Sequence, residues 1–386
     1  MGGGPDKEHL LIVLWDPEPK HITDSIRSRW PHIEITYFQL NGPISFKDVG
    51  DQVPPELFRS ATLLITLAAL PANREAAPKS VTSSFTIPCL KLLHLFSAGI
   101  DHWTNHPLVT DSDIDITTSS GIHGPPIAEW IIMTTLASSK RFGTSYEDQK
   151  NHAWGANRAA LANVSDWVGK RVGIAGYGSI GRQAARVFSA LGATIHAYTA
   201  SPRSTAESRR DEGYWVPGTG DPDGTVPTAW YSGKDKASLH AFLRSGLDAI
   251  IIALPLTPAT RHLFGKEEFA LLAAPAPGSA EAGTRKIGSK GAFLINIARG
   301  AILDQVALTE ALNDGTLAGA ALDVTDPEPL PKDDPLWDAK NVIITPHVSG
   351  LGVEYYQRAY DVWIENWDRQ ERGLKPFNLF QRSKGY

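Results

Sequence analysis

The sequence predicts an α/β protein of two domains, each built on a parallel sheet. Three observations carry this. Short apolar runs alternate with helical patterns along most of the chain, the rhythm of parallel β–α units. The length, 386 residues, exceeds one ordinary domain. The stretch Lys170 to Arg203 reads as a complete βαβ unit, with Gly176-Tyr177-Gly178-Ser179-Ile180-Gly181 on its first turn. That G-x-G-x-x-G pattern between strand and helix marks a doubly wound, Rossmann-type sheet.

Composition sets the class. Hydrophobic residues at 42% and charged residues at 20% are those of a soluble globular protein. A net charge of −5 gives no ground for a nucleic acid or an anionic membrane as partner. One cysteine, Cys89, excludes an internal disulfide, and its apolar context IPCLKLL predicts a buried, inert thiol. The N-terminus MGGGPDKEHL has no apolar signal core, and Asp6 breaks the myristoylation pattern. The longest apolar runs, such as residues 61–70, are too short to span a bilayer. A cytoplasmic location is expected, with no metal.

In chain order, Leu10 to Trp15 (LLIVLW) is a strand, followed by a Pro-rich turn and a helix over Ile22 to Trp30. Ile33 to Phe38 is a strand, Pro54 to Ser60 a helix and Leu63 to Ala69 a strand. Leu90 to Phe96 is a strand ending in Ser97-Ala98-Gly99-Ile100-Asp101, and Ile114 to Thr118 is another. Pro125-Pro126 opens a long helix over Ile127 to Arg141, since Pro is tolerated where a helix N–H has no partner. The domain crossing is placed here, with a second amphipathic stretch over Tyr146 to Trp154. In the βαβ unit, Val172 to Ala175 is a buried strand, Ser179 to Leu191 a helix stopped by Gly192, and Ala193 to Thr199 a second strand.

Beyond Arg203 the pattern lapses. Residues 204–235 are rich in Gly, Pro, Asp and Ser and predict a surface excursion, as do residues 274–289. Between and after them come helix Ser238 to Leu243, strand Leu247 to Leu254, helix Glu267 to Ala273 and strand Ala292 to Ile297. Helix Val306 to Asn313, strand Ala318 to Val324, strand Val342 to Thr345 and helix Val353 to Arg372 complete the chain. The expected domains are 1–122, completed by 351–386, and a Rossmann domain over 123–350 carrying both insertions.

The glycine turn has a stated use for each glycine. Gly176 permits the tight turn, Gly178 lets a pyrophosphate approach the backbone, and Gly181 lets helix and strand pack closely. The N-terminus of the helix, at Ser179 and Ile180, then faces the phosphates. About twenty residues beyond Gly181, an NAD-type fold presents an acid to the adenosine ribose. Here stand Thr199, Ser201, Arg203 and Ser204, and the first acid is Glu207. Hydroxyls and a guanidinium suit a 2′-phosphate. The expected cofactor is therefore NADP(H), with NAD(H) as the alternative.

Three strand ends carry the polar groups of a reaction: Asn296-Ile297-Ala298-Arg299-Gly300, Asp323-Val324-Thr325-Asp326-Pro327-Glu328-Pro329 and Thr345-Pro346-His347-Val348-Ser349-Gly350. Ligands of open α/β sheets bind beyond such carboxyl ends. With the glycine turn, Leu247 to Pro258, Ala128-Glu129 and Ser97 to Asp101, these motifs resemble the D-isomer-specific 2-hydroxyacid dehydrogenases over nearly the whole chain apart from the insertions. The family includes glyoxylate and hydroxypyruvate reductases.

The resemblance implies a smaller flavodoxin-like substrate domain, a cleft between the two domains, and a homodimer. It implies that Arg299 holds the substrate carboxylate and the reacting oxygen, that His347 is the acid–base, and that Glu328 pairs with His347. The interval from Arg299 favours Glu328 over the nearby Asp326. Backbone N–H groups of the Ser97-Ala98-Gly99 turn bind the carboxylate, and Asp323 holds the nicotinamide amide. Leu254, Pro255, Ile297, Ala298 and Gly350 are further cofactor contacts. These residue types suit reduction of a 2-keto acid, in which a guanidinium forks onto a carboxylate and an imidazolium delivers a proton. Glutamate at position 328 argues against formate oxidation, which releases no substrate proton. A nucleotide-sensing corepressor or scaffold of the same fold stays open, because such a protein can keep all three side chains.

Overall fold

Strand pairing divides the protein into two sheets, one of five strands and one of seven, with every strand pair parallel. A computed structural model describes residues 7–44, 49–71, 90–162, 164–273 and 291–382. Cys89 and the 274–289 insertion lie outside them. The chain forms two compact units, Met1–Ile122 with Val353–Tyr386, and His123–Gly352.

The first unit runs β1 (Glu8–Leu14), α1 (Lys20–Arg29), β2 (Ile33–Gln39), α2 (Pro55–Ser60), β3 (Leu63–Thr66), β4 (Leu92–Leu95), α3 (Pro107–Thr110) and β5 (Asp115–Thr118). The order β2-β1-β3-β4-β5 is the flavodoxin-like one. Helices cover both faces of such a sheet, so its strands read as nearly unbroken apolar runs. Leu10, Leu11, Ile12 and Val13 accordingly have no exposed surface.

The second unit runs α4 (Gly124–Ser139), α5 (Phe142–Lys150), α6 (Arg158–Ala162), β6 (Arg171–Ala175), α7 (Ser179–Ala190), β7 (Thr194–Thr199), α8 (Ala206–Arg209), β8 (Ala229–Ser232) and α9 (Lys236–Leu243). It continues with β9 (Ala249–Ile252), α10 (Lys266–Ala273), β10 (Phe293–Asn296), α11 (Gln305–Asn313), β11 (Gly319–Leu322) and β12 (Val342–Ile344). The order is β12-β11-β10-β9-β6-β7-β8, a Rossmann sheet with one added strand. Strand order reverses between β6 and β9, and the crevice beyond such a switch point is where α/β sheets take ligands.

The chain returns to the first unit with α12 (Tyr355–Glu371). Trp363 meets Trp30 of α1 edge to face, with ring centroids 6.2 Å apart, and Arg29 pairs with Asp368 at 2.6 Å. Beyond α12, Phe380 N donates to Ile116 O at 2.8 Å.

Two expectations need correction. The long helix begins at Gly124 rather than Ile127, because Pro125 and Pro126 occupy its first turn, where their missing N–H groups leave no gap. It ends at Ser139, and Arg141 then takes a left-handed conformation (φ 55°), so the next helix covers Phe142–Lys150 rather than 146–154. The second correction concerns residues 204–235. They are no bare loop: they contain α8, and β8 forms the sheet edge by pairing parallel with β7. The apolar signal of Ala229-Trp230-Tyr231 is short and lies among Gly, Pro and Asp, which mask it in composition. Among the described residues, no helix is long and apolar enough to cross a membrane.

Candidate active site

The glycine turn leaves β6 at Ala175. Gly176 has φ 98°, and a Cβ there would stand 2.3 Å from Ala253 O. A Cβ on Gly181 would stand 2.3 Å from Gly176 O. These two glycines are required by the fold itself. Gly178 differs: among the described residues, a Cβ there would meet nothing within 4 Å. Its lack of a side chain serves no contact within the protein and leaves space at the start of α7, whose first-turn N–H groups have no intrahelical acceptors. The turn thus fits the diphosphate of a dinucleotide, an anion favoured by donors and helix dipole together. Leu254 and Pro255 follow β9 on the other side of the switch point, and Leu254 N lies 3.2 Å from the Cβ position of Gly176.

At the end of β7, Thr199 Oγ1 donates to Ser201 O at 2.8 Å, and Ser201 is exposed. Arg203 is half-buried, and its Nη1 donates to Ser208 O. Arg209 Nε donates to Arg203 O at 2.9 Å. A guanidinium carries five N–H donors, so the contact with Ser208 fixes the head group without consuming it.

The three polar strand ends belong to adjacent strands. After β10, buried Asn296 shapes the turn: Ala298 N donates to its Oδ1 at 3.1 Å, and its Nδ2 donates to Arg299 O at 3.0 Å. Ile297 and Ala298 are buried, and Arg299 Nη1 donates to Ala298 O at 2.7 Å. After β11, Asp323 is 1% exposed and its carboxylate accepts from Thr345 Oγ1 (2.6 Å), Val348 N (2.9 Å) and Ser349 N (2.9 Å). His347 N donates to Asp323 O at 2.8 Å. Asp323 therefore clamps the whole turn after β12. That clamp matters, because His347 sits at φ 54°, a left-handed conformation costing a residue with a Cβ about 1–3 kcal/mol.

His347 Nδ1 lies 2.8 Å from Glu328 Oε1. An ionised carboxylate only accepts, so Nδ1 is the donor and Nε2 is the nitrogen left for another partner. Asp326 is occupied elsewhere, 3.7 Å from Arg261 Nη1, so Glu328 is the acid that meets the histidine. Gly350 packs on buried His123, whose Cδ2 would stand 3.0 Å from a Cβ at position 350.

The Ser97-Ala98-Gly99 turn belongs to the first unit, after β4. Ser97 Oγ donates to Gly99 O at 2.7 Å, and Tyr355 Oη of α12 donates to Phe96 O at 2.7 Å. Among the described residues, one other group has ligand-type spacing: His240, Glu267 and Glu268 present atoms within 4.8 Å of one another. Lys236 Nζ already stands 3.3 Å from Glu268 and 3.6 Å from Glu267, so a lysine supplies the positive charge there.

Sequence reasoning missed the clamp by Asp323 and the shaping role of Asn296. It also missed Arg182, which is 3% exposed although charged. The signal was present: Arg182 lies on the same face of α7 as Ala185, with Gly181, Ala184 and Phe188 also buried.

The D-isomer specific 2-hydroxyacid dehydrogenase family model, for the NAD-binding domain, matches residues 132–217 and 222–349. A glyoxylate reductase of Thermofilum pendens is 30% identical over 290 residues, covering 75% of this chain and 74% of that protein. A glyoxylate/hydroxypyruvate reductase B of Pectobacterium carotovorum is 29% identical over 280 residues, covering 71% and 73%. The fold matches an NADPH-dependent glyoxylate/hydroxypyruvate reductase of Sinorhizobium meliloti, solved with NADP and sulfate, at a TM-score of 0.68 and 22% identity over 98% of this chain and 100% of that one. A family protein of Aeromonas salmonicida matches at a TM-score of 0.70 and 23% identity, covering 98% and 100%. Strand order, glycine turn and family model agree: the chain belongs to the D-isomer-specific 2-hydroxyacid dehydrogenases, NAD(P)-dependent oxidoreductases of the glyoxylate/hydroxypyruvate reductase kind that act on small 2-keto and 2-hydroxy acids.

Proposed function

We propose that the protein reduces a glyoxylate- or hydroxypyruvate-type 2-keto acid to the D-2-hydroxy acid, with NADPH as the preferred cofactor. The His347–Glu328 contact at 2.8 Å, on a turn that holds His347 in a left-handed conformation, carries this reading. The nicotinamide supplies the hydride when bound. Arg299 takes the substrate carboxylate and polarises the neighbouring carbonyl oxygen, where negative charge develops. His347 enters as imidazolium, with Glu328 on Nδ1 stabilising its charge and orienting the ring. Its Nε2 proton goes to the carbonyl oxygen as that oxygen becomes a hydroxyl, and solvent restores the proton afterwards. The N–H groups of Ala98 and Gly99 are assigned to the carboxylate as well.

Asp323 is assigned first to holding the His347 turn. It accepts three hydrogen bonds out of about four that a carboxylate can take, which leaves about one acceptor site for a carboxamide. The NADPH preference rests on Thr199, Ser201 and Arg203 standing where an acid would oppose a 2′-phosphate. The S. meliloti neighbour, solved with NADP, has a name consistent with it. A homodimer fits the exposed apolar surface of α4 and α5: Met133, Phe142 and Tyr146 are 56%, 59% and 47% exposed, and Trp154 nearby is 101% exposed. A single cysteine in the sequence suits a reducing, cytoplasmic compartment.

The test is a panel of glyoxylate, hydroxypyruvate and phenylpyruvate with both cofactors. The expected result is turnover of the two small keto acids, faster with NADPH than with NADH. Tight NADPH binding with no turnover of any keto acid overturns the enzymatic reading in favour of a nucleotide-sensing scaffold.

A further inference from the structure

We propose that Arg182 is the positioning residue of the 2′-phosphate site, acting through the 204–235 insertion to set the preference for NADPH. This rests on the cofactor reading above. Burying a guanidinium is costly unless it is fully paired. Arg182 is 3% exposed, and three contacts on its head group come from the insertion. Nη1 donates to Asp221 O at 2.5 Å, Nη2 donates to Arg209 O at 2.7 Å, and Nε stands 3.3 Å from Asp211 Oδ2. The guanidinium also lies 5.0 Å from the ring centroid of Tyr177, the second residue of the glycine turn. Tyr177 Oη donates to Asp221 Oδ2 at 2.8 Å, and that buried carboxylate also accepts from Thr225 N and Val226 N. Two neighbours on α7 extend the attachment: Gln183 Oε1 accepts from Gly220 N, and Arg186 Nη1 donates to Gly218 O, each at 2.6 Å.

The attachment leads to Arg203. Arg182 holds the carbonyl of Arg209, Arg209 Nε holds the carbonyl of Arg203, and Arg203 Nη1 returns to Ser208 O. Three hydrogen bonds therefore connect the helix that begins at the glycine turn with the cation placed for an adenosine 2′-phosphate. A recognition arginine on an unanchored loop would lose conformational entropy on each binding event; an anchored one is ordered beforehand. The insertion is thus a wall of the cofactor site, and Arg182 is its fixing point.

Equilibrium binding of NADPH and NADH to Arg182→Met, by fluorescence titration, tests the proposal alongside hydrogen exchange of residues 203–210 in the cofactor-free protein. The NADPH Kd is expected to rise by about tenfold, the scale of one lost charge-assisted hydrogen bond, while the NADH Kd hardly moves. Exchange at residues 203–210 is expected to accelerate, and the KM for the keto acid at saturating NADPH to stay unchanged. Equal loss of both cofactors, or an unchanged NADPH Kd, overturns the proposal. If Arg182→Met does not fold, Asp211→Asn, which removes only the ion pair, is judged by the same outcomes. If the wild type binds NADH as tightly as NADPH, the NADPH preference itself is wrong. The exchange arm then decides the anchoring alone, and unchanged exchange overturns it.

Discussion

The turn after β6 and the turn after β12 both end strands of the seven-stranded sheet, yet they are held in opposite ways. The Gly176–Gly181 turn is shaped by side chains that are missing: two of its glycines lie where a Cβ would strike backbone, and the third opens onto empty space. The Thr345–Gly350 turn is shaped by a side chain that is present. The buried carboxylate of Asp323 holds Thr345, Val348 and Ser349, and its carbonyl holds His347, so that a residue with a Cβ keeps a left-handed φ. A local pattern specifies the first turn; a residue more than twenty positions upstream specifies the second.

The strongest way to sharpen this contrast is to change what the strand ends present. His347→Ala should lower kcat by about 10²–10⁴-fold, and Arg299→Ala by about 10²–10³-fold, the ranges for a general acid and an oxyanion donor. NADPH affinity, measured by fluorescence titration, should stay nearly constant in both; equal loss of binding and rate would sink the assigned roles. On the other turn, Gly178→Leu should fold with an ordinary circular dichroism spectrum, because its side chain enters open space. It should nonetheless weaken NADPH by at least about tenfold through overpacking against the ligand. Unaltered affinity would show that Gly178 does not face the cofactor.

A smaller effect is expected at the clamp. Asp323→Asn keeps the shape but weakens two amide contacts and one hydroxyl contact, at a cost of about 1–3 kcal/mol in urea denaturation. Its kcat should fall more than its keto-acid KM rises, since the variant displaces His347 rather than the carboxylate contacts. A change confined to KM would contradict the clamp.

A last contrast separates two kinds of histidine. His347 is half-exposed beside a carboxylate, whereas His94 in β4 is completely buried between the hydroxyls of Thr117 (2.9 Å) and Ser119 (3.2 Å). Burial pushes the His94 pKa down from 6.5 to about 3. Between those values the unfolded chain takes up a proton that the fold refuses. The stabilisation is therefore complete above about pH 6.5 and is lost as pH falls toward 3, with a slope of at most about 1.4 kcal/mol per pH unit. Burial lowers His106 and His196 in the same direction. His94→Gln should flatten the acid limb of stability against pH by about one proton; an unchanged limb would contradict a neutral, buried His94.

The same contrast explains what was legible in the sequence. The fold was, because strands buried on both faces leave nearly unbroken apolar runs such as Leu10 to Leu14, and because the glycine turn is a local code. Arg299, Glu328 and His347 stand out in the sequence as residue types at strand ends, and the choice of Glu328 over Asp326 came from resemblance; of these, the contact of Glu328 with His347 at 2.8 Å is the part seen in the fold. The clamp by Asp323 was not legible, since a carboxylate after a strand reads equally as a turn cap, a ligand contact or a surface charge. The 204–235 segment was misread for a related reason. It is tied to the glycine turn and α7 by contacts from Tyr177, Arg182, Gln183 and Arg186, among them a buried cation on a helix face that periodicity assigns to apolar residues, and no local pattern in the insertion announces them.

We propose that this protein reduces a 2-keto acid with proton delivery from His347. This is tested most directly by supplying hydroxypyruvate with NADPH and resolving the product by chiral chromatography, for the wild type and for His347→Ala. The expected result is one D-2-hydroxy acid formed per NADPH consumed by the wild type, and almost none by the variant despite bound cofactor. An L-product, NADPH loss without hydroxy acid, or full activity in His347→Ala would contradict it.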